Sequence, residues 1–184
     1  MKVFTVLIFG LAASWGVAQD KWAAADSATL RLPPAAFSRL PKNIVQYLQG
    51  RGCTVPQTYL SREPHNVISG EFARRGQTDW AVLCSRDGVS SILVFWRGST
   101  RSVSEIAKAP DVGFLQTVNG GGQIAYSRAI EPVGRDDIMS HYKAYGGRQP
   151  PLINHQGIDD AYVGKASVVR YYHRGKWLEL KGAD

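Results

Sequence analysis

Val67 to Gly98 reads VISGEFARRGQTDWAVLCSRDGVSSILVFWRG, the longest stretch in which apolar pattern, turn chemistry and a cysteine agree. Its second half holds two apolar runs, Trp80 to Ser85 and Val89 to Trp96, on either side of Arg86-Asp87-Gly88. Asp-Gly between hydrophobic runs signals a two-residue hairpin, because both residues tolerate positive φ. That turn sets Leu83 opposite Ile92, Ala81 opposite Val94, Val82 opposite Leu93 and Trp80 opposite Phe95. Both faces of the ribbon are then apolar, so it must be covered on both sides and lies centrally in its sheet.

Working outward, Pro41 to Gly50 places Ile44, Val45 and Leu48 on one helical face, and a strand is expected at Asn66 to Ser69. Gly98 to Lys108 reads as a polar turn with a single helical turn around Ser104 to Ala107. Gly113 to Val118 and Gln123 to Ile130 read as strands around a glycine-rich loop, and Arg135 to Tyr145 as a helix ended by Gly146-Gly147. A second hairpin spans Lys165 to Leu180 and turns at Arg174-Gly175. A two-residue loop there sets Val169 and Tyr171 opposite Leu180 and Leu178, Arg170 opposite Glu179, and Tyr172 opposite Trp177. Arginine is a poor first residue for a type I′ turn, so a bulged loop with a shifted register stays open. The fold class that follows is α+β: a twisted antiparallel sheet of about six or seven strands with one or two short packed helices.

The 184 residues suit one globular domain over 35–184. Residues 1–18 have the basic start, apolar run and small residues (Gly16, Ala18) of a cleaved secretory signal. The apolar run falls short of the roughly 20 residues that a membrane span requires. Residues 19–34 read as an extended lead that ends at Pro33-Pro34. Cys53 and Cys84 are the only cysteines, and export makes a disulfide between them the expected state. The formal charge of +7 falls to +6 when Lys2 leaves with the signal. That balance favours anionic partners. The basic residues are dispersed, which speaks against nucleic acid.

The segment GEFARRGQTDWAV resembles one copy of the FG-GAP or VCBS-type repeat, with Gly70, Glu71, Phe72, Gly76 and Asp79 at its glycine, acid and phenylalanine positions. The resemblance covers about a dozen residues. The repeat carries a calcium loop, but here Ala73 and Arg75 stand at the two middle ligand positions. Calcium needs six to eight oxygens, so no calcium is expected. Arg75 is expected instead to bridge Glu71 and Asp79.

Two sets of residues are candidates for chemistry. Asn154-His155-Gln156-Gly157-Ile158-Asp159-Asp160 sets a histidine near two carboxylates, the components of a general acid/base pair or a metal site. Its spacing matches no metal or hydrolase motif, and Gly157 breaks any helix that would align His155 with Asp159. The second set is the amphipathic face of the C-terminal hairpin, Arg170, Tyr172, Arg174 and Trp177, where aromatics beside cations suit sugars or anionic groups. The preferred expectation is an exported, periplasmic or secreted, non-enzymatic module that binds an anionic envelope component or another exported protein, without cofactor or metal. The alternative is a small hydrolase or metal-dependent enzyme using His155 with Asp159 or Asp160.

Overall fold

The computed structural model describes residues 15–60 and 62–182. In chain order its elements are α1 (Trp15–Ala28), β1 (Arg31–Leu32), α2 (Lys42–Gly50), β2 (Val55–Pro56), β3 (Val67–Gly70), β4 (Asp79–Arg86), β5 (Val89–Phe95), β6 (Val103–Pro110), β7 (Leu115–Val118), β8 (Gln123–Tyr126), β9 (Arg128–Val133), α3 (Arg135–Tyr145), β10 (Gly157–Tyr162), β11 (Ala166–His173) and β12 (Lys176–Lys181). All strand pairs are antiparallel. The α+β class holds, but the strands divide among sheets of order β3-β4-β5-β6 and β12-β11-β10-β9 and ribbons β1-β2 and β7-β8.

The division follows from the two apolar faces of the β4–β5 hairpin. Asp87 and Gly88 both take positive φ, and the hairpin has the register read from the sequence. One face, carrying Val82, Cys84, Leu93 and Phe95, packs against Ile44 and Leu48 of α2. The other, carrying Ala81, Leu83, Ile92 and Val94, packs against Ile130 and Ile158 of the second sheet. The far face of that sheet buries Val169, Tyr171 and Leu180 beneath Ile138 of α3. The layers therefore run α2, first sheet, second sheet, α3. A hydrophobic ribbon cannot say what will cover it, so sequence pattern could not distinguish one larger sheet from two stacked ones.

Asn66 joins the sheets at one edge. Its backbone is left-handed, with φ 69°. Its side-chain amide donates to Pro56 O and Arg128 O at 2.7 and 3.1 Å, and its Oδ1 accepts from Ile130 N at 2.9 Å. The side chain thus does the work of a strand pairing between β3 and β9.

Several local expectations are corrected. The lead at 19–34 is not extended: α1 runs to Ala28 through an alanine-rich segment, alanine being the strongest helix former. The helix lies on the β7–β8 hairpin, and Arg31 pairs with Asp26 and with buried Asp111. Of the signal read at 1–18, residues 1–14 lie outside the described residues. The helical turn expected at 104–107 is strand β6, with a bulge against Ser90 to Ile92 and Ala107 at φ 56°. The strand expected at 123–130 breaks at Ser127, where the chain leaves β8 for the second sheet.

Cys53 and Cys84 form a disulfide with Cα atoms 5.2 Å apart, which fastens the segment after α2 to β4. Among the described residues no helix is long and apolar enough to cross a membrane.

Candidate functional site

The loop from Glu71 to Thr78 is organised by Asp79, which is fully buried. Its Oδ2 accepts from Phe72 N and Ala73 N at 3.1 and 3.0 Å, and its Oδ1 from Gln77 Nε2 and Arg97 N at 2.7 and 2.8 Å. The bridge expected from Arg75 to Glu71 and Asp79 is not formed. Arg75 is exposed and makes no ion pair among the described residues. Glu71 is held through its backbone by Gln156, with Glu71 N bonded to Gln156 Oε1 and Gln156 N to Glu71 O, both at 2.9 Å. The physical reason is that three backbone N–H groups and the Gln77 amide already engage both Asp79 oxygens, whereas a long exposed side chain would lose rotamer entropy to reach them.

Arg97 is the hinge of the site. It follows Trp96 in a tight turn after β5, with φ 54°. The Asp79 carboxylate ties its backbone to the arginine-bearing loop, and its Nε donates to Gln77 Oε1 at 3.0 Å. Trp96, next to it, meets two rings of the C-terminal hairpin. It stacks on Trp177 with centroids 5.7 Å apart and planes 24° from parallel, and its centroid lies 4.7 Å from that of Tyr172. Tyr172 and Trp177 meet edge to face at 5.6 Å. All three are half-buried. Trp96 Nε1 donates to Ser104 Oγ.

The C-terminal hairpin has the two-residue turn, with Arg174 and Gly175 both at positive φ, and the register that this turn implies. Tyr172, Trp177 and Arg174 therefore stand where the sequence placed them, but Arg170 is not a free cation. Its Nε lies 3.2 Å from Asp160 Oδ2 and its Nη1 2.7 Å from Glu179 Oε2. Exposed cations are carried by the loop that Asp79 organises (Arg74, Arg75), by the segment after Trp96 (Arg97, Arg101) and by the tip of the C-terminal hairpin (Arg174, Lys176). The segments that supply the three rings, the turn after β5 and the C-terminal hairpin, thus also carry exposed cations.

The structure does not join His155 to the aspartates. Its Nδ1 is 2.9 Å from Gln156 O, and no hydrogen bond or ion pair links it to either carboxylate. Asp159 and Asp160 are neighbours on β10, so they point to opposite faces of the sheet. Asp160 faces the interior and is claimed by Arg128 and Arg170. Asp159 faces the α3 side, where burial pushes its carboxyl up, with Asp160 and Glu131 adding to the shift and the Ser167 hydroxyl and His141 opposing it. Among the described residues no group of three or more His, Cys, Asp or Glu is arranged to hold a metal ion.

Sequence reasoning missed Trp96, Arg97 and Arg128. Trp96 closes the apolar run expected as a strand, and the turn signal that singles it out is Trp-Arg-Gly directly after that run. No protein-family model, curated protein or solved structure matches the chain.

Proposed function

We propose that the protein is an exported, non-enzymatic module that binds an anionic polymer of the cell envelope through the Trp96, Tyr172 and Trp177 cluster and the exposed arginines on the segments that carry it. One observation carries the reading: Trp96 stacks on Trp177 while its neighbour Arg97 is bonded, through buried Asp79, to the loop bearing Arg74 and Arg75. Aromatic faces suit the apolar faces of sugar rings, and arginine forks suit carboxylates and sulfates. Asp79, the acid at the base of the loop, is bonded to internal N–H groups, and Arg74 and Arg75 of the same loop are exposed and form no ion pair among the described residues. The disulfide agrees with an oxidising compartment.

The test is binding to polygalacturonate and dextran sulfate, with neutral dextran as control. The triple variant Arg74→Gln/Arg75→Gln/Arg174→Gln alters three exposed side chains that form no ion pair among the described residues, so it is expected to keep the wild-type Tm. Wild type is expected to bind the anionic polymers with an affinity that falls as salt rises, and the variant to bind them at least about tenfold more weakly. Equal binding by variant and wild type, or equal binding of neutral dextran, rejects the surface.

A further inference from the structure

The first sheet ends in an open edge. β3 pairs with β4 alone, and Leu83 N donates to Asn66 O at 2.9 Å, so Asn66, Ile68 and Gly70 turn their backbone groups toward β4. By the same alternation Val67 and Ser69 turn their N–H and C=O groups outward, and no hydrogen bond among the described residues engages them. The flanking positions are closed. Glu71 N and O are bonded to Gln156 Oε1 and N, both at 2.9 Å, so Gln156 already extends this edge by one residue. Asn66 uses its side chain on Arg128 O and Ile130 N of β9, and β9 then reaches Pro132, which has no N–H to offer β3. At Val67 to Ser69 a cleft of about 480 Å³ opens, lined also by Phe37, Leu40, Pro64, Trp80 and Pro132. Phe37 and Leu40 belong to the segment before α2 and Pro132 to the second sheet, so the cleft lies along the strand edge and not over one face of the sheet. A row of unpaired backbone groups on such an edge is a template for another chain.

We propose that this edge binds an extended acidic peptide segment of another protein, added antiparallel to β3. Two of its residues, opposite Val67 and Ser69, exchange backbone hydrogen bonds with both. Residues so placed carry their side chains on the same face as Val67 and Ser69. On that face Val67 and Trp80 pack against the cluster that holds Phe37 and Leu40, so these two peptide positions take apolar side chains. An acidic occupant fits the surrounding charge. The chain carries +7, and Arg39, which also lines the cleft, is exposed and forms no ion pair among the described residues. Glu63, the acid among the lining residues, is itself engaged. Segments from both neighbouring layers flank the edge, which suits one extended chain and not the edge of a second sheet. The cleft shares no lining residue with the Trp96, Tyr172 and Trp177 surface and stands or falls independently of it.

The probe is acetyl-Glu-Thr-Val-Thr-Val-Thr-amide, titrated into the full chain while backbone amide resonances and their hydrogen exchange are followed. Saturable shifts are expected, with a Kd of about 1 mM or tighter, and exchange at Val67 and Ser69 is expected to slow at saturation. The peptide methylated at its two valine nitrogens, whose N–H groups face β3, is expected to bind at least about tenfold more weakly. Methylation of the threonine nitrogens that follow the valines, whose N–H groups face away, is expected to leave binding unchanged. Glutamine in place of the glutamate is expected to weaken binding about threefold. Ser69→Pro removes one outward N–H and no bond to β4, so it is expected to keep the fold, which its amide spectrum reports, and to lose at least about tenfold in affinity. The methylated peptides test the same bonds without altering the protein. The proposal is overturned by the absence of saturable shifts, by binding that leaves Val67 and Ser69 unprotected, by the valine-methylated peptide binding as well as the parent, or by unchanged affinity in a folded Ser69→Pro. Equal affinity of the glutamine peptide overturns the acidic character of the occupant.

Discussion

Arg128 and Asp160 are joined inside the sandwich by two parallel hydrogen bonds, Nε to Oδ1 at 2.8 Å and Nη2 to Oδ2 at 3.0 Å. The rest of the guanidinium is also satisfied: Nη1 donates to Ser90 Oγ at 2.9 Å and Nη2 to Ala107 O at 2.7 Å, and the group lies 4.4 Å from the centroid of the Phe114 ring. Ala107 offers its carbonyl from the β6 bulge, where it holds a left-handed backbone that L residues adopt at a cost. The bulge, the two sheets and the ion pair therefore specify one another.

Asp160→Ala leaves the Arg128 charge buried without its partner. Breaking a buried pair in this way costs about 3–5 kcal/mol. Urea denaturation is expected to show a loss of that order, with Arg170→Ala, whose side chain is less buried, losing less. A loss for Asp160→Ala no larger than for an ordinary surface substitution would show that the pair does not hold the sheets together.

Asn66 can be dissected by two substitutions. Asn66→Ala removes three side-chain hydrogen bonds and places a β-carbon residue without a local bonding partner at φ 69°. Asn66→Gly removes the same bonds but is at ease in that conformation. Both variants are expected to be destabilised by at least about 2 kcal/mol from the stranded groups, with Ala the worse. Equal denaturation midpoints for Gly and wild type would remove the side chain's role as the link between sheets.

Asp79 and Arg75 separate the observed loop from the one that the repeat resemblance implied. Asp79→Ala strands four donors, three of them the backbone N–H groups of Phe72, Ala73 and Arg97, and is expected to cost at least about 3 kcal/mol. Arg75→Ala is expected to stay within about 0.5 kcal/mol of wild type. Thermal denaturation of both checks the pair, and a large loss for Arg75→Ala would restore the ion-pair reading.

What the sequence made legible was local. Asp87-Gly88 gave the register of the central hairpin, Arg174-Gly175 located the second hairpin while leaving its register open, and the Ile44/Leu48 face marked α2, because turn chemistry and periodicity act over a few residues. What stayed hidden was long-range. Asn66 reaches Ile130, Trp96 reaches Trp177 and Gln156 reaches Glu71 through contacts between segments far apart in the chain, with no local signature. His155 drew attention by its nearness in sequence to Asp159. The histidine whose charge bears on Asp159 is His141, brought there by the packing of α3 on the second sheet.

Asp159 yields the remaining prediction, and its sign is opposite to that of the other three residues. Burial raises its carboxyl above the ordinary range, with Asp160 and Glu131 acting in the same direction and Ser167 and His141 against it. The folded state then holds the proton more tightly than the unfolded chain. The contribution to stability is present in full at pH values below the unfolded pKa and is lost as pH rises through the folded value, because burial penalises the charged form by more than Ser167 and His141 offset. Asp159→Asn cannot ionise. It is expected to have a higher Tm than wild type at pH 7, and the difference is expected to close as pH falls below about 3.9, the ordinary aspartate value. A Tm for Asp159→Asn below wild type at pH 7 would mean that the carboxylate is already compensated within the fold.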